Sequence, residues 1–358
     1  MSIDTQSAPE VANRQGPVRV HRRLPRLAPL GLYLIGLGLG AALSAATGFA
    51  VTSTLIYGVV LGTLAVYVAT RAVEGRRKAA DRLVTALVTA AFAIAMIPLV
   101  SLVYTVLDKG LARLDSQFFT ESMFRVVGEG GGAYHAIAGT LIITALATAI
   151  SVPIGLMTAI YLVEYGTGRL KRAITFFVDV MTGIPSIVAG LFSFALFTLV
   201  FGNDVRMGVM GAVALSVLMI PVVVRSCEEV LKLVPNELRE ASYALGIPKW
   251  RTVVKVVLPT AIAGLGTGVT LSVARVVGET APLLVTVGLI TSTNFNPFDG
   301  RMATLPVFAY YQLTQPGTAT QAFLDRAWTA ALVLIILVMA LNVVARLISR
   351  FFAPKTGH

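Results

Sequence analysis

Two ionised side chains stand where nearly everything around them is apolar. Within Gly264–Ile290 the chain reads Ala274-Arg275-Val276-Val277-Gly278-Glu279-Thr280-Ala281-Pro282. Arg275 and Glu279 fall 11 and 15 residues into that 27-residue stretch, the centre of a membrane-crossing helix if it runs unbroken. On insertion scales each charge costs roughly 2.5–3.5 kcal/mol at such a depth, so both need a partner helix or an aqueous route. The spacing of four predicts that they share one helix face. Arg275 presents planar guanidinium donors suited to a tetrahedral oxyanion. Glu279 would hold Arg275 in place and keep the anion from binding too tightly. The competing reading is a purely structural ion pair between subunits; the intramembrane setting favours function. Thr280 beside them, and Thr182 and Ser186 in an earlier apolar stretch, offer hydroxyls to the same anion, although such hydroxyls more commonly serve helix packing. Asp179 and Glu164 lie near span ends, where local pairing is the expected role. No nucleophile–base arrangement and no metal-ligand set accompanies these residues. His21, His135 and His358 are isolated, and the single cysteine, Cys227, excludes an intrachain disulfide or a multi-cysteine metal site.

The elements that must position these charges follow from composition. Hydrophobic residues make up 56% and charged residues 13% of the 358, about half the charged share of a soluble domain. Eight apolar segments stand out: Pro29–Thr47, Thr52–Thr70, Leu83–Leu107, Ala136–Val163, Ala173–Phe201, Met207–Val224, Gly264–Ile290 and Ala327–Ala345. Each is long enough to cross a bilayer once, and none alternates like a strand, which predicts an all-α polytopic membrane protein. The first two form a close hairpin, residues 27–71, whose Gly36, Gly38 and Gly40 suit tight helix contact. Residues 1–26 read as a basic cytoplasmic tail, and 83–350 as a six-span core. With both termini inside, 22 of the 29 Lys and Arg fall on cytoplasmic segments and six outside, the remaining one being Arg275; this bias sets the orientation. The net charge of +11 is thereby assigned to topology and lipid headgroups, and nucleic acid is not an expected partner.

One long polar segment, 226–259, falls on the predicted cytoplasmic side. Its Leu231–Pro259 part predicts a helix–turn–helix. Pro235 opens a helix over Glu237–Leu245, Gly246 ends it in the left-handed region, Pro248 opens a second helix, and Pro259 closes it. Glu240-Ala241-Ser242, then Gly246, then Val256-x-Leu258-Pro259 resembles the E-A-A-x-x-x-G-x9-I-x-L-P loop of ABC-importer permeases, with Ser242 and Val256 departing from it. The resemblance implies that Glu240, Ala241, Ser242, Gly246, Leu258 and Pro259 belong to a coupling loop that docks into a separate ATPase subunit. The small side chains of Ala241, Ser242 and Ala244 would let that partner approach closely. The alternative is an amphipathic helix resting on lipid. No G-x-x-x-x-G-K-[ST] occurs, so ATP and Mg would be held by the partner and no cofactor by this chain. The Gly128–Gly132 run departs from G-x-G-x-x-G at Ala133 and reads as a flexible outside loop.

Within the ABC-importer permeases, Arg275-x-x-Gly278-Glu279-Thr280-Ala281-Pro282-Leu283 is similar to the A-type subunit of phosphate-specific transport systems. Tyr161-Leu162-x-Glu164-Tyr165, Gly183-Ile184-Pro185-Ser186 and Leu305-Pro306-Val307-Phe308 agree with it. The resemblance covers about residues 83–350 and leaves the hairpin outside. It implies a translocation subunit, not an enzyme by itself, in a bacterial inner membrane. The implied partners are a homologous C-type permease, two ATPase subunits and an extracytoplasmic phosphate-binding protein. An arginine alone does not separate phosphate from sulfate or molybdate. An ion-coupled secondary transporter is the rival class; it would work alone and show inverted repeats, and no convincing repeat is visible. Because the turn at Gly246 demands backbone freedom, replacing it by a bulky residue should weaken ATPase association without affecting membrane insertion. A pull-down from solubilised membranes checks this; undiminished association would refute it.

Overall fold

The computed structural model describes residues 24–25, 27–46, 50–203 and 205–352. The basic tail predicted over 1–26 and the hairpin turn lie largely outside the described residues. Among the described residues the chain is helical and contains no strand. The α-helices in order are α1 (Ala28–Ala46), α2 (Val51–Val73), α3 (Arg76–Gly110), α4 (Ser116–Thr120), α5 (Tyr134–Ile160), α6 (Gly168–Thr182) and α7 (Ser186–Phe201). They continue with α8 (Gly208–Lys232), α9 (Asn236–Ala244), α10 (Lys249–Thr252), α11 (Leu258–Val277), α12 (Ala281–Thr286), α13 (Leu305–Thr314) and α14 (Thr320–Phe352). Among the described residues seven helical stretches are long and apolar enough to cross a membrane, and the bent pair α6–α7 makes an eighth crossing if counted as one. The polytopic all-α architecture agrees with the composition.

The chain divides into two compact units, Met1–Leu102 and Val103–His358, with the boundary inside α3. In the first unit α1 and α2 pack through glycines. A Cβ placed on Gly36 would lie 2.5 Å from the backbone nitrogen of Gly62, and one on Gly40 would lie 2.5 Å from that of Gly58. The expected close contact therefore belongs to Gly36 and Gly40, while Gly38 faces open space. Lipid tails match apolar side chains in polarity, so close packing, not hydrophobic burial, holds such a pair. Tyr33 and Thr63 add a hydroxyl pair at 3.2 Å, and Glu74 accepts from Arg82 Nη2 at 3.2 Å at the end of the hairpin.

In the second unit α5, α8 and α11 surround a core that includes Ile143, Ala147, Leu215, Met219, Leu265 and Val276. A second cluster around Phe118, Leu305 and Phe308 joins α4, α13 and α14 to the start of α5. Thr140 on α5 accepts the Leu305 backbone N–H at 2.8 Å and so anchors α13.

Three sequence expectations change. Ala173–Phe201 is not one straight span, because α6 and α7 meet at a bend of 107°. Pro185 has no N–H and forces Ile184 out of helical geometry, while Gly183 ends α6. Gly264–Ile290 is also interrupted. Its helix begins earlier, running from Lys249 to Val277, and breaks at Gly278 before α12 restarts with Pro282 in its first turn. Pro259 does not close the second loop helix. A π turn over Val253–Val257 precedes it, in which Leu258 N–H reaches back to Val253 O; this wide turn carries the helix past the missing proline donor. The glycine packing yields a contrast: Gly36→Leu should lower the melting temperature of the protein in detergent by several degrees, whereas Gly38→Leu should leave it unchanged. Equal effects would contradict the packing.

Candidate functional site

The bend between α6 and α7 and the break between α11 and α12 meet at one cavity of about 200 Å³. Met181 and Thr182 enter it from the end of α6, Ser186 from the start of α7, and Leu218 and Val222 from α8. Arg275 and Glu279 complete the lining from either side of the α11 break. Four of the five residues picked for oxyanion contact are thus brought together. Thr280, the fifth, lies on a different cavity of about 440 Å³, together with Pro306, Tyr310 and Trp328.

The relation between Arg275 and Glu279 is not the one expected. The helix ends two residues after Arg275, so the two charges do not share a continuous helical face. Among the described residues neither takes part in an ion pair within 4.0 Å. Arg275 is exposed in the isolated chain and Glu279 half-buried. The Thr182 hydroxyl, by contrast, donates to Val178 O at 2.8 Å, which is the packing use. Irregular backbone inside a membrane is tolerated only where protein buries it or a water-filled cavity takes it up, and both breaks open here.

The second feature is an elbow between α8 and α11. Helix α8 runs to Lys232, eight residues beyond the predicted end of the sixth span, so Arg225–Lys232 is helical. There Arg225 pairs with Asp179 and with Glu228 (2.7 Å), and Lys232 also meets Glu228 at 2.7 Å. Asp179 is paired as expected, but its partner stands on α8, 46 residues away, and not beside it in sequence. Then α9 and α10 form the predicted helix–turn–helix. Gly246 sits at φ +73°, and a Cβ there would meet nothing within 4 Å, so its requirement is conformational and not steric. Pro235 and Pro248 cap the starts of α9 and α10.

Ser242 does not face outward as a small docking residue. It is buried, and its hydroxyl pairs with that of Thr252 at 2.8 Å, tying α9 to α10. Glu240, Ala241 and Ala244 remain exposed, as do Leu238, Tyr243, Leu245 and Trp250; Leu258 is half-buried, and Pro259 is exposed at the start of α11.

A residue that sequence reasoning missed fixes the elbow. Arg239, in the first half of α9, donates from Nε and Nη2 to Glu164 Oε1 at 3.0 and 2.8 Å. It also donates to Val234 O at 2.6 Å and Leu231 O at 3.1 Å. Glu164 lies in a π turn, Tyr161–Tyr165, that ends α5, and Lys249 of α10 stands over the neighbouring Tyr165 ring. The Glu164 and Arg239 side chains are only 4% and 12% exposed. Glu164 therefore has the structural role expected of it, but its partner is Arg239, 75 residues away, and not the adjacent Arg169 or Lys171.

Comparison with known proteins identifies the family. Residues 151–358 match the family described as "Binding-protein-dependent transport system inner membrane component". The chain belongs to that family. It is 50% identical over 283 residues to the phosphate transport system permease protein PstA 1 of Mycobacterium tuberculosis (strain CDC 1551 / Oshkosh), covering 78% of this chain and 91% of that one. The PstA protein of Mycobacterium leprae (strain TN) is 49% identical, covering 76% and 89%, and that of Pasteurella multocida (strain Pm70) is 39% identical, covering 71% and 88%. Among solved structures, a bacterial ABC transporter involved in import of the acidic polysaccharide alginate aligns at a TM-score of 0.53 with 13% identity, over 76% of this chain and 97% of that one. This last likeness concerns the fold alone.

As a binding-protein-dependent permease, the chain is a multi-pass inner-membrane protein whose matched region starts in the middle of α5 and contains the cavity and the whole elbow. The Arg239–Glu164 pair left a trace in the sequence only as an arginine inside the loop motif and an acid at a span end. Removing one partner of a buried pair strands the other charge, at a cost of about 3–5 kcal/mol, whereas removing both is much milder. Arg239→Met should therefore lower the melting temperature and membrane level of the subunit, and the double variant Arg239→Met/Glu164→Gln should recover part of the loss. Additive losses would show that the pair is not coupled.

Proposed function

We propose that this permease is a translocation subunit of an ATP-driven importer of inorganic phosphate. One observation carries the reading. Arg275 lines a cavity where two interrupted helices meet, and among the described residues its guanidinium has no carboxylate partner. A tetrahedral oxyanion matches those donors in charge and shape. The three relatives named above, at 39–50% identity, bear the name phosphate transport system permease protein, which supports phosphate over sulfate or molybdate. Glu279, on the same cavity, opposes tight retention of the anion, as a transport path requires. Ser186 offers a further hydroxyl, and Thr280 takes part only if the α11–α12 break moves.

The path is completed by a homologous C-type permease, which would cover the exposed side of Arg275. An extracytoplasmic binding protein delivers the anion. Two ATPase subunits hold ATP and Mg and engage the exposed side of α9 and α10 in the cytoplasm, where both termini also lie. The apolar Leu238, Tyr243, Leu245 and Trp250 there fit a partner groove better than bare solvent. Because Arg239 ties α9 to the ends of α5 and α8, displacement of the elbow is passed to α8, whose Leu218 and Val222 line the cavity. An ion-coupled transporter would leave this anchored elbow without a purpose.

Arg275→Gln should abolish uptake of labelled phosphate in a strain lacking the native subunit, while the assembled complex remains in the membrane. Loss of the subunit itself would mean that the arginine is structural. Excess sulfate should not compete with phosphate, and phosphate uptake unchanged by deletion of the gene would show that the cargo is misassigned.

A further inference from the structure

Helix α12 has charged side chains near both ends. Its N-terminal end adjoins the cavity of Arg275 and Glu279; near its C-terminal end stand two more arginines, Arg206 and Arg301. Arg206 is half-buried, packs over the Phe194 ring at 5.5 Å and donates from Nη1 to Val285 O. Arg301 is exposed, and its backbone carbonyl accepts from Asn294 Nδ2 at 3.0 Å; the same Nδ2 donates to Asp299 O at 2.7 Å, so the loop bearing Arg301 is fixed at its base. The two stems converge on Gly288. A Cβ placed there would lie 3.5 Å from Arg206 Cδ and 3.6 Å from Arg301 Cδ. Gly288 also has φ +69°, a backbone conformation that favours glycine, so no side chain stands between the two stems. Among the described residues neither guanidinium forms an ion pair with a carboxylate.

The two guanidiniums are carried on stems that flank one glycine, and each has five N–H donors, of which Arg206 uses one on Val285; an oxyanion is the ligand that two such forks share. We propose that Arg206 and Arg301 form a receiving site for a phosphate-class oxyanion at the far end of α12 from Arg275. The six residues of α12 span about 9 Å, so an anion leaving this notch has a short path to the cavity. The site rests on the phosphate reading above and on the topology that puts these two arginines on the extracytoplasmic side.

The test uses the complete transporter, with its ATPase and binding-protein subunits, in nanodiscs. Arginine-selective labelling by phenylglyoxal is read peptide by peptide. Millimolar inorganic phosphate should slow labelling of both Arg301 and Arg206 several-fold, while chloride at matched ionic strength should not. In the Arg301→Gln complex phosphate should no longer protect Arg206. Labelling indifferent to phosphate, or protection of Arg206 that survives Arg301→Gln, overturns the site. Protection that appears only with anionic lipid in the nanodisc, without added phosphate, assigns the notch to a lipid headgroup and likewise overturns it. Labelled-phosphate uptake by the same wild-type complex separates the two readings. If uptake occurs while labelling ignores phosphate, only the outer site fails; if no phosphate is imported, the cargo reading fails.

Discussion

The carboxylate of Glu164 and the guanidinium of Arg239 are held together in a setting nearly closed to solvent, and much of this molecule's organisation serves that contact. The pair lies 75 residues apart in sequence and needs three things at once. The end of α5 must widen into a π turn that turns Glu164 inward. Helix α8 must continue past its apolar part, so that the carbonyls of Leu231 and Val234 are presented to the same guanidinium. Helix α9 must then turn back beneath both. A buried ion pair adds little net stability compared with apolar packing, because desolvation consumes most of its Coulomb energy. What it supplies is position: one orientation of the elbow satisfies all the donors, and others strand a charge.

That constraint gives the elbow two unlike sides. Its inner side is committed: Ser242 to Thr252, Arg239 to Glu164, and Lys249 to the Tyr165 ring. Its outer side keeps Glu240, Ala241, Ala244 and large apolar side chains exposed. Both helices that feed into the elbow, α8 and α11, also line the cavity of Arg275. The π turn before Pro259 keeps that line of helix continuous where a proline would otherwise interrupt it.

The cavity depends on the opposite device. Two helices are broken deep in apolar sequence, one by Gly183 and Pro185 and the other by Gly278 with Pro282 after it. Broken helices leave backbone groups without intrahelical partners, so they belong where water or a polar solute can enter. The hairpin of α1 and α2 shows the contrasting case. Its glycines bring two unbroken helices into direct contact, so their backbone hydrogen bonds stay within each helix.

The amino-acid sequence by itself determined what depends on local chemistry and on counting. Apolar length fixed the membrane class; Pro235, Gly246 and Pro248 marked the helix–turn–helix and its turn, although the end expected at Pro259 is not one. Intramembrane charge singled out Arg275 and Glu279. Tertiary structure decided what depends on where chains meet. A spacing of four implies a shared face only while the helix continues, and whether Gly278 and Pro282 bend or break it is settled by what fills the space beside them. Ser242 reads as small and outward until Thr252 is seen opposite its hydroxyl. Arg239 looks like one more basic residue on a cytoplasmic loop, because nothing local distinguishes a solvated arginine from one buried against a distant carboxylate. The physical reason is common to all three. Backbone preference and hydropathy act over a few residues, whereas the partner of a buried polar group is chosen by packing across the whole fold.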